Sequence, residues 1–187
     1  MFHIMAERPD DAPEIESLLD RAFGPARRAK TSYRYREGVP PLGHLGLVAR
    51  AGDDLVGTLR CWPVGLNGVA AVPEVEAPPV LLGPVAVAPA RRGRGIGAAL
   101  VTRALVIAAR AGHPFVALVG PHAYYGRWGF RPAADHGLVM PGEAPDRFLV
   151  RELAAGALAT ASGPILPRRC LRDRGADRPL TRLGRAA

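Results

Sequence analysis

Leu82-Gly83-Pro84-Val85-Ala86-Val87-Ala88-Pro89-Ala90-Arg91-Arg92-Gly93-Arg94-Gly95-Ile96-Gly97-Ala98-Ala99-Leu100 carries an apolar, strand-like segment straight into a basic glycine loop that opens onto a helix. Glycines let the backbone come close to a ligand, the first N–H groups of a helix lack intrahelical partners, and the helix dipole adds partial positive charge there. With the charges of Arg91, Arg92 and Arg94, this is the chemistry of a pyrophosphate cradle; the competing reading is a glycine-rich turn with no ligand. A phosphate loop of the G-x-x-x-x-G-K-[ST] type is excluded, because the only lysine of the chain is Lys30. Gly93-x-Gly95-x-x-Ala98 satisfies the loose dinucleotide fingerprint, but the next strand, Phe115 to Val119, ends in Gly120-Pro121 and offers no acid for a ribose. That context argues against a nicotinamide-dependent oxidoreductase.

Arg92-Gly93-Arg94-Gly95-Ile96-Gly97, following Val87-Ala88-Pro89, resembles the acyl-CoA loop [QR]-x-x-G-x-[GA] of the GNAT acetyltransferase superfamily. Ala123-Tyr124-Tyr125-Gly126-Arg127-Trp128-Gly129-Phe130 is similar to the family's second motif, F-Y-x-x-x-G-F, with tyrosine in place of its first aromatic. The resemblance spans residues 1 to 155, and Ala22-Phe23-Gly24-Pro25 together with the second motif looks like the YhbS-like branch. It implies an α/β (α+β) fold: a mixed central β-sheet of about six to seven strands, flanked by about four helices, with splayed central parallel strands. It also implies acetyl-CoA as cosubstrate without a metal, and a small-molecule or peptide amine as acceptor.

The same resemblance implies site residues. Main-chain groups of Val85 and Val87 would hydrogen-bond the pantetheine amides, and an N–H there would polarise the thioester carbonyl. Both valine side chains read equally well as core. Backbone N–H groups of Arg92, Gly93, Arg94, Gly95, Ile96, Gly97 and Ala98 would hold the pyrophosphate. Tyr125 stands at the position of the thiolate-protonating tyrosine; a phenol with pKa near 10 stays protonated at neutral pH and can donate to a departing thiolate. The alternative is a cofactor contact or packing residue. Tyr124, Trp128 and Phe130 read as core. An amine acceptor must also lose a proton, and the candidates for that base are Glu76, His122, His44 and Asp135. Residues 24 to 44, with Arg27, Arg28, Arg34, Arg36, Tyr33 and Tyr35, fall where the family borders its acceptor pocket. A second functional class stays open: an acyl-CoA-binding regulatory module whose basic tail contacts nucleic acid.

The rest of the chain reads as one α/β domain. Phe2 to Ala6 forms a first strand, Asp10 or Asp11 caps a helix, and Ile15, Leu18, Leu19, Ala22 and Phe23 share one helical face. Leu45 to Ala51 and Leu55 to Val64 form a hairpin about Gly52-Asp53-Asp54. The near-continuous apolar run Val80 to Val87 suits a strand buried on both faces. Leu100, Val101, Ala104, Leu105 and Ala108 line the inward face of a helix that Gly112 ends. Strands at Phe115 to Val119, near Gly137 to Met140, and at Phe148 to Glu152 complete the sheet, with a short helix at 122–128.

A chain of 187 residues with 48% hydrophobic content suits a single core. No apolar run reaches the roughly 18 to 20 residues of a membrane span, and Met1 to Met5 lacks the order of a secretory signal, so a cytoplasmic protein is expected. Cys61 and Cys170 read as an inert core thiol and a tail thiol. Of the net charge of +8, Arg168, Arg169, Arg172, Arg174, Arg178, Arg182 and Arg185 against Asp173 and Asp177 leave +5 at the C-terminal end. Residues 1–155 are therefore read as the acetyltransferase domain and 156–187 as a basic, Gly/Pro/Arg-rich, disordered tail. Such a tail either meets nucleic acid through counterion release or is a solvated extension without a partner.

Overall fold

The computed structural model describes residues 1–66 and 77–168. Its strands are β1 (His3–Ala6), β2 (Leu47–Ala51), β3 (Asp54–Leu66), β4 (Val80–Val87), β5 (Phe115–Val119), β6 (Arg131–Pro132), β7 (Leu138–Val139), β8 (Phe148–Glu152) and β9 (Gly163–Pro167). The α-helices are α1 (Ala12–Phe23), α2 (Thr31–Arg34), α3 (Ile96–Arg110) and α4 (His122–Tyr125), the second and fourth being single turns. The sheet runs β1-β2-β3-β4-β5-β8-β6, and β9 joins it by pairing with β3 and β7.

Alternation along the strands divides the apolar side chains between two faces. Leu47, Ala49, Leu59 and Cys61 face α3, whose Leu100, Val101, Ala104, Leu105 and Ala108 are all buried, as the helical periodicity predicts. Gly57 permits the close seating of that helix, because a Cβ there would lie 2.8 Å from Cγ2 of Ile96. Val48, Leu55 and Ala86 turn to the opposite face and pack against Ile15, Leu18 and Leu19 of α1. Phe23, at the end of the α1 stripe, departs from expectation: it is 40% exposed and lies beside the cavities described below. Asp11 stands at the N-cap of α1, but its carboxylate turns back to accept the Arg8 N–H at 2.7 Å and to pair with Arg50.

The central parallel pair decides where a ligand can enter. β4 and β5 are in register only at Val80↔Val116 and Leu81↔Ala117. Beyond that point β4 stays with β3 and β5 stays with β8, so the two strands part toward their carboxyl ends.

The domain boundary expected at residue 155 is corrected by β9. Val64↔Pro167, Gly65↔Leu166 and Leu66↔Ile165 add this strand to the end of β3, and Ile165 is fully buried with Leu158 and Ala161 in a cluster that includes Tyr35, Leu81, Phe115 and Phe148. The folded body therefore reaches Arg168. Two prolines disguise the strand, since Pro164 and Pro167 cannot donate to a ladder and read as loop; the pairing is short enough to tolerate them. The rest of the expected tail, residues 169–187 with Cys170, lies outside the described residues. No helix among the described residues is long and apolar enough to cross a membrane.

Candidate active site

Leaving β4, the chain makes a 3-10 turn at Pro89–Arg91, where the Arg91 N–H reaches Ala88 O at 2.8 Å. Gly93 and Gly95 then adopt φ values of 76° and 78°, a left-handed conformation that favours glycine. Gly95 caps α3, and its carbonyl accepts the Ala99 N–H at 2.9 Å. The N–H groups of Gly93 to Ala98 make no hydrogen bond to another described residue, so they are free to face a ligand. They border a cavity of about 570 Å³ lined by Val85, Val87, Arg91, Arg92, Gly93, Gly95, Ile96, Gly97 and Ala98. Arg94 is exposed at the loop tip and is not among the lining residues.

Strand parity places the β4 main chain. The Ala88 N–H bonds Val56 O on β3 at 2.9 Å, so Ala86 also turns its peptide groups toward β3, and Val85 and Val87 turn theirs toward the opened gap. An N–H facing a gap without a strand must find another acceptor.

A second cavity, of about 490 Å³, adjoins the first where β4 and β5 diverge. Phe23, Val85 and Tyr125 line both, so Tyr125 stands at their junction. Its ring is fixed edge-on to Tyr124 (4.9 Å between centroids) and Phe130 (6.0 Å). Gly120 makes room for it: a Cβ there would lie 2.3 Å from Tyr125 Cε2. Burial, aided by neighbouring Tyr124, pushes the Tyr125 phenol up to about 12, so it holds its proton at neutral pH and can donate but not accept it.

The walls of the second cavity come from distant segments. The loop after α1 is anchored by fully buried Arg27, which reaches Asp20 at 2.7 Å, the Tyr33 hydroxyl at 2.8 Å, and Glu16. Across the opening, the Thr31 hydroxyl donates to Gly142 O at 2.8 Å and ties that loop to the 142–147 wall. Lys30, Arg36, Glu143 and Arg147 supply further charges, Glu143 being the one carboxylate among the described lining residues.

The expected bases are not brought there. His44 faces His113, Nε2 to Nε2 at 3.0 Å, and His113 Nδ1 donates to Pro78 O at 2.7 Å. Pro78 and His113 precede β4 and β5, so this pair lies at the opposite end of the central strands from the splay. His122 is exposed with its ring folded back over Gly126, and Asp135 is exposed in the turn after β6. Glu76 lies outside the described residues. Sequence reasoning misses Glu143, which no motif flags. Tyr124 also departs from its core assignment, since it lines the first cavity with its hydroxyl 3.4 Å from where a Gly97 Cβ would stand. Trp128, half-buried, donates to the Thr102 hydroxyl at 2.9 Å, while Phe130 is fully buried. Cys61 is buried, and burial pushes its thiol up to about 12, which removes it as a nucleophile.

Unpaired amides at a helix start, beside a splayed parallel pair and a second cavity that meets the first at a protonated phenol, are the arrangement of an acyltransferase. The profile of the acetyltransferase (GNAT) domain matches residues 3–133, and the chain belongs to that family. An uncharacterized N-acetyltransferase of Escherichia coli K12, YhbS, is 34% identical over 167 residues, covering 87% of this chain and 93% of its own. The crystal structure of Escherichia coli YhbS in complex with CoA superposes with a TM-score of 0.75 at 31% identity, covering 91% of this chain and 92% of that one. A GNAT family acetyltransferase from Brucella melitensis in complex with acetyl-CoA gives a TM-score of 0.64 at 26% identity, with coverages of 89% and 95%.

Proposed function

We propose that this acyltransferase moves an acetyl group from acetyl-CoA directly to a primary amine while both substrates are bound. The observation that carries the proposal is the position of Tyr125, which lines the loop-side cavity and the adjoining one at once. The free N–H groups of Gly93 to Ala98 hold the pyrophosphate, that of Arg92 being taken by Pro89 O at 3.3 Å, and the gap-facing peptide groups of Val85 and Val87 hold the pantetheine and polarise the thioester carbonyl. The amine, in the second cavity, loses its proton to Glu143 and bonds to the carbonyl carbon. The carbon–sulfur bond breaks, the departing thiolate takes the phenolic proton of Tyr125, the excess proton of the new amide nitrogen passes through water to the phenolate, and Glu143 releases its proton to solvent. Burial keeps the Tyr125 phenol protonated at neutral pH; because it is a weaker acid than a thiol near 8.5, the proton is drawn from it only while the carbon–sulfur bond breaks and is replaced at once by that of the amide nitrogen. An acyl-CoA-binding regulatory module would need the first cavity but neither the second nor the phenol between them.

Thiol release from acetyl-CoA in the presence of small amines, polyamines, aminoglycosides and peptides tests the proposal. Amine-dependent release with formation of the acetylated amine is the expected result. Tight acetyl-CoA binding with no release in any mixture would return the chain to the regulatory reading.

A further inference from the structure

Two guanidinium groups lie close together behind the second cavity, and they differ in one respect. Arg27 has two carboxylates and a phenol. Arg36 has no carboxylate within ion-pair distance among the described residues, and its Nε and Nη1 are buried without a hydrogen-bond partner. The contrast is not one of supply, because Arg28 is paired with Glu16 although it is exposed at the surface.

The surroundings of Arg36 hold the group flat rather than neutralise it. Its guanidinium carbon lies 4.3 Å from the Tyr33 ring centroid and 5.1 Å from that of Trp62. Stacking of this kind stabilises the cation through its faces, and the Nε and Nη1 donors stay without a partner. Nη2 approaches β4 at Gly83, where an added Cβ would stand 3.7 Å away, and Arg36 and Gly83 both line the second cavity. Burial pulls the Arg36 pKa down to about 10, the sign of a charge held in a dry place without its counterion. Lys30 and Arg147 also line the cavity, against Glu143 alone.

We infer that Arg36 is the anion-recognising residue of the second cavity, and that the acceptor is a small amine carrying a carboxylate, an amino-acid-like molecule. This rests on the transferase reading above. A carboxylate fits a planar guanidinium through two parallel hydrogen bonds, which orients as well as attracts. A cavity of about 490 Å³ is of small-molecule size. The positive lining opposes polyamine and other polycationic acceptors. With the carboxylate on Arg36, the amine of the same molecule is left to reach toward Glu143 and Tyr125.

Matched pairs test this: leucine against 3-methylbutylamine, phenylalanine against phenethylamine, lysine against cadaverine. Wild type is expected to acetylate the carboxylated member of a pair with the higher kcat/KM. Arg36→Met should lower that value about 10- to 100-fold, mainly through KM, the usual worth of a charged hydrogen bond, and leave the decarboxylated amine unchanged. Arg36→Lys, which keeps the charge but not the fork, should fall between. Without acceptor, Arg36→Met should melt no lower than wild type, because it removes an uncompensated buried charge; acetyl-CoA affinity should not move. A lower melting point with an unaltered preference between pair members would make Arg36 a packing residue and overturn the assignment. So would equal or better turnover of the decarboxylated amines in wild type. Calorimetry on the CoA-loaded protein, with N-acetyl-leucine against N-(3-methylbutyl)acetamide, decides the point separately from turnover. Arg36-dependent binding of the carboxylate upholds the site even if acetyl transfer fails, and equal binding of the two overturns it even if transfer succeeds.

Discussion

The two cavities that meet at Tyr125 are built on different principles. The loop-side cavity is made chiefly of one continuous stretch, residues 85–98, closed by Ala22 and Phe23 at the end of α1 and by Tyr124, Tyr125 and Arg127 across from it. The second is made of side chains drawn from four stretches, around residues 23–36, 81–85, 119–125 and 142–147, tied together by contacts such as that from Thr31 to Gly142. A ligand shared by many enzymes is met by peptide groups, which every chain has. A ligand particular to one enzyme is met by side chains, which the fold must collect.

The largest effect is expected where backbone makes the site. Gly95→Glu adds a carboxylate at the proposed pyrophosphate position and forces a side chain onto a φ of 78°, so acetyl-CoA binding by calorimetry should be lost. Binding equal to wild type would break the comparison at its first term. Next comes the junction. Tyr125→Phe should lower turnover about 10²- to 10⁴-fold with little change in acetyl-CoA affinity. Because the phenol is pushed up to about 12, the rise or fall of rate between pH 7 and 10 should be shared by wild type and the Phe variant; a limb lost only in the variant would assign an ordinary pKa to Tyr125.

Ile165→Ala probes the support of the second cavity. It removes a fully buried side chain from the cluster that holds Tyr35 and Leu81, and should cost about 2 to 5 kcal/mol in denaturant unfolding. Below the midpoint, acceptor KM should suffer more than acetyl-CoA affinity; equal damage to both would deny that the two cavities rest on separate supports.

The smallest effect belongs to the amino ends of the central strands. Burial, with the His44 ring adding to it, lowers the His113 pKa below its usual 6.5, so His113 is neutral in the fold. Its stabilising contribution is complete above pH 6.5 and is lost as pH falls through the lowered value. The loss should be on the order of 1 kcal/mol, the worth of one buried hydrogen bond, and absent in His113→Gln. Activity at neutral pH should not follow it.

Legibility in the sequence divides along the same line as the cavities. Gly93, Gly95 and the start of α3 are contiguous, and their geometry follows from local φ preferences and the unpaired N–H groups of a helix start, so the loop could be read directly. The splay of β4 and β5 came with the family resemblance, which pattern alone would not supply. Arg36 and Glu143 are more than a hundred positions apart, and nothing local distinguishes Arg36 from Arg34 or Arg28. His44 shows the reverse error: the right chemistry for a base, carried by its loop to the wrong end of the strands. Ile165 stayed hidden because Ile165-Leu166, two apolar residues between two prolines, carry no period.

The pairing of β9 with β3 also orders events in time. Leu66 waits for Ile165, about a hundred residues further along the chain, before its edge is covered. On a ribosome, the strands and helix of the loop-side cavity are all synthesised before that partner emerges, and contacts of such long separation close late. A nascent chain that has reached β8 already holds the elements of the loop-side cavity, while the support beneath the second cavity is still to come.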